Sequence, residues 1–251
     1  MKLISLNTWG GVAGREGLLD FFRARDDVDV FCLQEIWNGG EHIRGTTLAG
    51  VRYDKFLSDL YPAIGTMLEN HLGYFRPHYH DWYGLAMFIK KNIVLREEGE
   101  TWVWKTRADI YDDEVANHAH NIQYATFETK KGTRTIINFH GLWNGQGKFD
   151  TEERLTQSKN IVEFLKTIAH PYILCGDFNL LPDTESLKMF EAAGMRNLVK
   201  EFGVTSTRSS FYKKPHRFAD YTLASDGVTV HDFKILPDEI SDHLAMYLEF
   251  E

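Results

Sequence analysis

The chain has 251 residues, within the range of a single α/β domain and long enough to bury a large core. Its composition, 43% hydrophobic and 25% charged, is that of a soluble globular protein, and no apolar run of about 18 residues is present to span a membrane as a helix. The net charge of −8 argues against long duplex DNA as the natural partner, because general nucleic-acid binders rely on a basic face. The segment Met1 to Asn7 turns polar too early for a signal peptide. Cys32 and Cys175 sit in apolar runs without CxxC or histidine spacing, so they read as buried thiols, which fits a reducing cytoplasm.

Alternation over Lys2 to Asn7 predicts a strand. Leu18, Leu19, Phe21 and Phe22 mark a short amphipathic helix, and Val28 to Leu33 is a buried strand. Phe56, Leu57, Leu60, Ile64, Met67 and Leu68 have helical spacing and predict a helix within Tyr53 to Leu72. The longer segment Trp37 to Leu72 is an enlarged connection suited to walling a pocket. Leu85 to Ile89 is a strand, and Asn121–Phe127 and Arg134–Phe139 pair around a Lys130-Lys131-Gly132 turn. Glu152 to Ile168 is the clearest helix, with Thr151 as N-cap and Glu152 and Glu153 at the positive end of its dipole. Tyr172 to Cys175 is a strand, and Thr184 to Ala193 a helix closed by Gly194. Strands over Val228–Ile235 and Ala245–Phe250 finish the chain. No repeat or linker is visible, so residues 1–251 read as one domain. Strands outnumber helices and are mixed with them, which predicts sheets flanked by helices. No Gly-x-Gly-x-x-Gly or Walker A motif is present.

Several of the apolar runs end in polar side chains. Leu6 leads to Asn7, Leu33 to Gln34-Glu35, and Cys175 to Gly176-Asp177-Phe178-Asn179; Ser241-Asp242-His243 precedes the last run. Hard oxygen donors and a histidine gathered at one sheet edge suit a divalent cation and a phosphate ester. Arg208 to Arg217 holds Arg208, Lys213, Lys214 and Arg217 with no acid among them. It reads as a solvated loop, with a phosphate-binding role left open by its position before Asp220. His78/His80 and His118/His120 have strand spacing but no third ligand nearby in the sequence, so no chemistry is assigned to them. Trp102, Trp104 and Tyr111, with the Trp82-Tyr83 pair, suit either a pocket wall or core packing.

The ordered set Asn7, Glu35, His140, Gly-Asp-x-Asn at 176–179, Asp220 and Ser241-Asp242-His243 resembles the endonuclease/exonuclease/phosphatase superfamily, also called deoxyribonuclease I-like. The resemblance spans nearly the whole chain. It implies a four-layer α/β (α+β) sandwich of two stacked mixed β-sheets flanked by helices, with the active site at one rim. It also implies Mg²⁺ (or Mn²⁺) held by Glu35, Asp242 and Asn7, and His243 as general base oriented by Asp220. Asp177 would place the attacking water, with Asn179 and His140 on the phosphoryl oxygens. Asn144 and Asn121 are weaker substrate-contact candidates. The activity implied is hydrolysis of a phosphodiester or phosphomonoester by direct in-line water attack, by a monomer. Fold alone does not choose the substrate. A nuclease acting on short or structured nucleic acid and a non-catalytic binding protein on the same scaffold are the alternatives.

Overall fold

The computed structural model describes residues 1–48, 51–52, 54–106 and 118–251. In chain order the strands and helices are β1 (Lys2–Asn7), α1 (Arg15–Arg23), β2 (Val30–Trp37), β3 (Thr47–Leu48), β4 (Val51–Arg52), α2 (Leu60–Met67), β5 (His71–Tyr79), β6 (Tyr83–Lys90), β7 (Leu95–Trp104), β8 (His120–Thr129), β9 (Gly132–His140), α3 (Glu152–Leu165), β10 (Tyr172–Asp177), α4 (Glu185–Ala192), β11 (Arg196–Asn197), α5 (Leu198–Glu201), β12 (Asp220–Ala224), β13 (Val230–Ile235) and β14 (Met246–Phe250). They form two six-stranded mixed sheets, ordered β13-β14-β1-β2-β6-β5 and β11-β12-β10-β9-β8-β7, beside the small β3-β4 pair.

Strand alternation sorts the side chains into layers. On β1, Leu3 joins a core with Ile122, Ile137, Leu174 and Tyr221 of the second sheet. Its neighbours Ile4 and Leu6 turn the other way and pack with Phe21 and Phe22 of α1 and Leu60 and Ile64 of α2. Ile161 and Leu165 of α3 and Phe190 of α4 cover the second sheet. The layers are therefore helix, sheet, sheet, helix, as expected. Cys32 and Cys175 are both buried free thiols. No described helix is long and apolar enough to cross a membrane.

Several elements differ from the sequence expectation. The helix expected within Tyr53–Leu72 is confined to Leu60–Met67, and the strand β5 begins at His71; Tyr53 itself lies outside the described residues. The strands β5 and β7 were not anticipated, and both are sheet edges. An edge tolerates Pro77 within β5 and the charges Arg96, Glu97, Glu98 and Glu100 within β7, residue types that hide a strand from pattern reading. The short β12 was also missed, although all five of its residues are buried. At the other extreme, α3 starts where expected, with the Thr151 side chain accepting a hydrogen bond from the Arg154 backbone N–H.

Candidate active site

Sheet register brings the polar strand ends together. In the second sheet, Asp177 at the end of β10 pairs with His140 on β9 and with Asp220 on β12. In the first sheet, Asn7 pairs with Gln34, and the β2–β6 register shifts between Leu33 and Ile36. Glu35 sits in that bulge with φ +56°, a left-handed conformation that re-aims its carboxylate at the rim. Gly176 permits the close approach of β10 to β9. Its φ is +143°, and a Cβ there would stand 1.9 Å from the Phe139 carbonyl oxygen. The two sheets are tied at the site by Asn7, whose Nδ2 donates to Glu35 Oε1 and Asp177 Oδ2 at 3.0 Å each. Its Oδ1 accepts from the Trp9 backbone N–H at 2.9 Å.

His243 is 3% exposed and stands between two carboxylates. Its Nδ1 donates to Asp220 at 2.8 Å, and its Nε2 lies 3.5 Å from Asp177 Oδ2. Thr207 Oγ donates to Asp220 Oδ2 at 2.8 Å, which fixes the carboxylate behind the ring. Asp177, Asp220 and His243 have the spacing of a metal cluster. Because the imidazole uses opposite nitrogens toward the two acids, the trio reads better as a held base than as a ligand set. Burial opposes charge on His243, as does Arg208, yet Asp220, Asp242 and Asp177 together raise its pKa above the ordinary histidine value. Burial likewise opposes the Asp177 charge, but His243, Lys148, His140 and Arg208 override it and hold the carboxyl well below the usual range.

Glu35 keeps 26% of its side-chain surface exposed in a recess. Burial there raises its carboxyl above the ordinary value, against the pull of His140 and the Asn7 amide, and Asp242 adds to the rise. Asp242 gives one oxygen to Arg208 Nη1 at 2.8 Å. Its other oxygen, Oδ1, is buried with no hydrogen-bond partner among the described residues. Two acids that interact unfavourably, one with an orphaned buried oxygen, are a donor set suited to a hard divalent cation. His140 Nε2 stands 3.9 Å from Glu35 and 3.8 Å from Asp177. Asn179, at φ +53°, donates from its backbone N–H to Asp177 Oδ1 and from Nδ2 to the Gly141 carbonyl.

These groups open on a cavity of about 280 Å³. Glu35, His140, Asp177, Asn179, Asp242 and His243 line one part of it, and aromatic side chains including Trp9, Trp37, Tyr83, Trp143 and Tyr212 line the rest.

A family model for the endonuclease/exonuclease/phosphatase family matches residues 4–243, nearly the whole chain. The chain belongs to the endonuclease/exonuclease/phosphatase family. A search of curated proteins finds no match. Among solved structures, the fold is similar to a functionally unknown conserved protein of Enterococcus faecalis, with a TM-score of 0.75, 17% identity, and 100% and 99% of the two chains covered. It is similar to the mannosyl-6-phosphatase Bt3783 of Bacteroides thetaiotaomicron at TM-score 0.73 and 17% identity, covering 100% and 99%. It is also similar to ANGEL2, a 2′,3′-cyclic phosphatase in complex with adenosine-2′,3′-vanadate, at TM-score 0.70 and 13% identity, covering 99% and 94%. Identities this low bear on the fold alone.

Of the family-pattern residues named from the sequence, Asn7, Glu35, His140, Asp177, Asn179, Asp220, Asp242 and His243 converge at one rim. Asn121 and Asn144 are not brought into the cavity lining. Asn121 is fully buried and faces His78, and Asn144 bonds Thr151 Oγ and the Gln146 N–H. Trp102 and Trp104 do not line the cavity either, and Tyr111 lies outside the described residues. From the Trp37–Leu72 connection, Trp37 contributes to the wall, stacked on Phe56 and Trp82.

Three cations at the site were not singled out as site residues by sequence reasoning. Lys148 is 2% exposed and donates to the Phe218 carbonyl. Burial lowers its pKa from 10.5 to about 8. Arg208 pairs with Asp242 and stacks over Tyr212, and Lys214 stands over Trp143. Lys148 carried no signal, being a lone lysine in a Gly-rich loop. Arg208 and Lys214 belong to the basic segment already noted, and Arg208 forms a bridge with His243.

Proposed function

We propose that this protein is a divalent-metal-dependent phosphoesterase acting on a small phosphate ester by direct water attack. The observation that carries the reading is the Asp220–His243–Asp177 line at the same rim as Glu35 and Asp242. Mg²⁺ or Mn²⁺, held by Glu35 and by Asp242 Oδ1, which has no hydrogen bond among the described residues and lies 3.7 Å from His243 Nε2, would supply charge neutralisation at the phosphoryl group. Asn7 supports that pair by donating to Glu35.

His243 Nε2 accepts a proton from water placed beside Asp177 Oδ2. Asp220 holds the ring so that Nε2 keeps its lone pair and stabilises the imidazolium that forms. The water oxygen bonds to phosphorus as the ester P–O bond breaks, and the departing oxygen is protonated from solvent. No enzyme nucleophile is needed. His140, Lys148 and Arg208 offer donors to the phosphoryl oxygens, and Asn179 steadies Asp177 through its backbone N–H. This is positioning and electrostatics, the usual share of the protein in phosphoryl transfer.

The 280 Å³ cavity and its aromatic wall suit a small ester with an organic ring rather than a duplex. Membership of the endonuclease/exonuclease/phosphatase family supports a phosphate-ester substrate. The net charge of −8 also disfavours a long polyanion. The test is hydrolysis of p-nitrophenyl phosphate and bis-p-nitrophenyl phosphate with Mg²⁺, Mn²⁺ or EDTA, beside short oligonucleotides. Metal-dependent release from the small esters supports the reading. Cleavage confined to oligonucleotides, with steep salt dependence, would make it a nuclease.

A further inference from the structure

The two histidine pairs left without chemistry in the sequence each lacked a third ligand. For His118/His120 the fold supplies it from a distant strand, while His80 stays outside the cluster, stacked on Trp82. His78 lies on β5, between Pro77 and Tyr79 where the register with β6 shifts, and it meets His120 at the start of β8 and His118 just before it. The three residues offer one ligand atom each, all within 4.8 Å of one another. Ring centroids are 5.2 Å apart for His78–His118, 5.0 Å for His78–His120 and 4.5 Å for His118–His120.

Second-layer hydrogen bonds settle which nitrogens are available. Asn121 Nδ2 donates to Glu100 and, at 3.4 Å, to the Arg76 carbonyl. That fixes the amide so that its Oδ1 faces His78 Nδ1 at 3.1 Å. His78 must therefore carry its proton on Nδ1. His120 Nδ1 donates to the His140 carbonyl at 2.9 Å, with the same consequence. In the neutral rings both Nε2 atoms are then bare lone pairs, and both are buried with no hydrogen-bond partner among the described residues. A buried acceptor with no donor is costly in a protein interior. A histidine whose Nδ1–H is anchored on an oxygen and whose Nε2 is free is the arrangement found around metal-bound imidazoles.

We propose that His78, His118 and His120 form a binding site for a zinc-type transition-metal ion, separate from the carboxylate site. Three imidazoles select Zn²⁺ and its first-row neighbours rather than Mg²⁺, which prefers oxygen. Tetrahedral zinc needs nitrogens about 3.3 Å apart, so the cluster contracts on binding. His118 is the least buried of the three. Three protein ligands leave one position for water or a substrate atom. His118 and His120 also line the catalytic cavity, so the ion stands in its wall. The site does not depend on the phosphoesterase reading.

The test uses full-length protein stripped of metal and titrated with Co²⁺ by visible absorption and with Zn²⁺ by calorimetry. Wild type and Glu35→Gln are expected to show the d–d bands of a nitrogen-ligated ion. His118→Gln and His120→Gln are expected to lose them and to bind zinc at least about 100-fold more weakly. Zinc-edge anomalous scattering from crystals of the unmutated protein locates the ion whether or not the variants fold. A peak among the three rings supports the site. Zinc found only at Glu35 and Asp242, or nowhere, or bands unchanged in both histidine variants, would overturn it. Failure of Mg²⁺-dependent hydrolysis alone would leave it standing.

Discussion

Asp220 Oδ1 accepts a hydrogen bond from His243 Nδ1 at 2.8 Å, while the opposite nitrogen of the same ring faces Asp177. One carboxylate orients the imidazole and the other shares the space into which a water would be drawn. Asp220 does not line the cavity, so in the proposed mechanism it acts through His243 as a positioning residue. Asp220→Asn should lower kcat about 10²-fold or more with little change in KM or melting temperature. Steady-state kinetics and thermal unfolding of the same preparation check this. An unchanged kcat would remove the orienting role.

Glu35 should make metal binding visible as stability. Its carboxyl is raised by burial, so the folded state holds the proton more tightly than the unfolded state. Stability attributable to this group therefore declines as pH rises above the ordinary carboxylate value of 4.5. Without metal at pH 7, Glu35→Gln should melt no lower than wild type. With Mg²⁺ at 100 times its Kd, wild type should gain about 2.7 kcal/mol and the variant much less. Differential scanning calorimetry with and without Mg²⁺ reads both effects.

Lys148 sets an alkaline limit. Burial brings its pKa down to about 8, so the cation in the cavity wall, proposed to meet the phosphoryl group, is present below that pH and lost above it. KM should rise as pH passes through about 8. Lys148→Met should show a high KM already at pH 7, without the alkaline rise. For stability the sign is the reverse. The folded pKa lies below the unfolded one, so burying Lys148 costs less as pH rises from about 8 toward 10.5. KM against pH for the two proteins tests the binding claim.

Gly176 should tolerate no side chain. A Cβ at φ +143° would stand 1.9 Å from the Phe139 carbonyl oxygen, between two hydrogen-bonded strands that cannot separate cheaply. Gly176→Ala should lose about 3 kcal/mol or more of stability, measured by urea unfolding. A loss below about 1 kcal/mol would mean that β9 and β10 are less tightly joined.

The sequence exposed the site more fully than the sheets. Asp177, Asp242 and His243 are conspicuous because polar groups beside apolar runs break the expected pattern. The edge strands β5 and β7 were hidden, since edge strands carry proline and charge where central strands carry Val, Ile and Leu. The His78–His118–His120 meeting was invisible for another reason. It depends on β5 and β8 facing each other across the two sheets, a contact that no local spacing records. Lys148 was silent because a single lysine in a loop shows its burial only after the chain has folded.

The most direct measurement is metal-dependent release of p-nitrophenol from the phosphate mono- and diester by wild type and His243→Ala. Turnover by wild type that EDTA abolishes and Mg²⁺ or Mn²⁺ restores, reduced about 10²-fold or more in the variant, is the predicted result. Turnover that persists in EDTA, or that His243→Ala leaves intact, would contradict a metal-dependent phosphoesterase with His243 as its base.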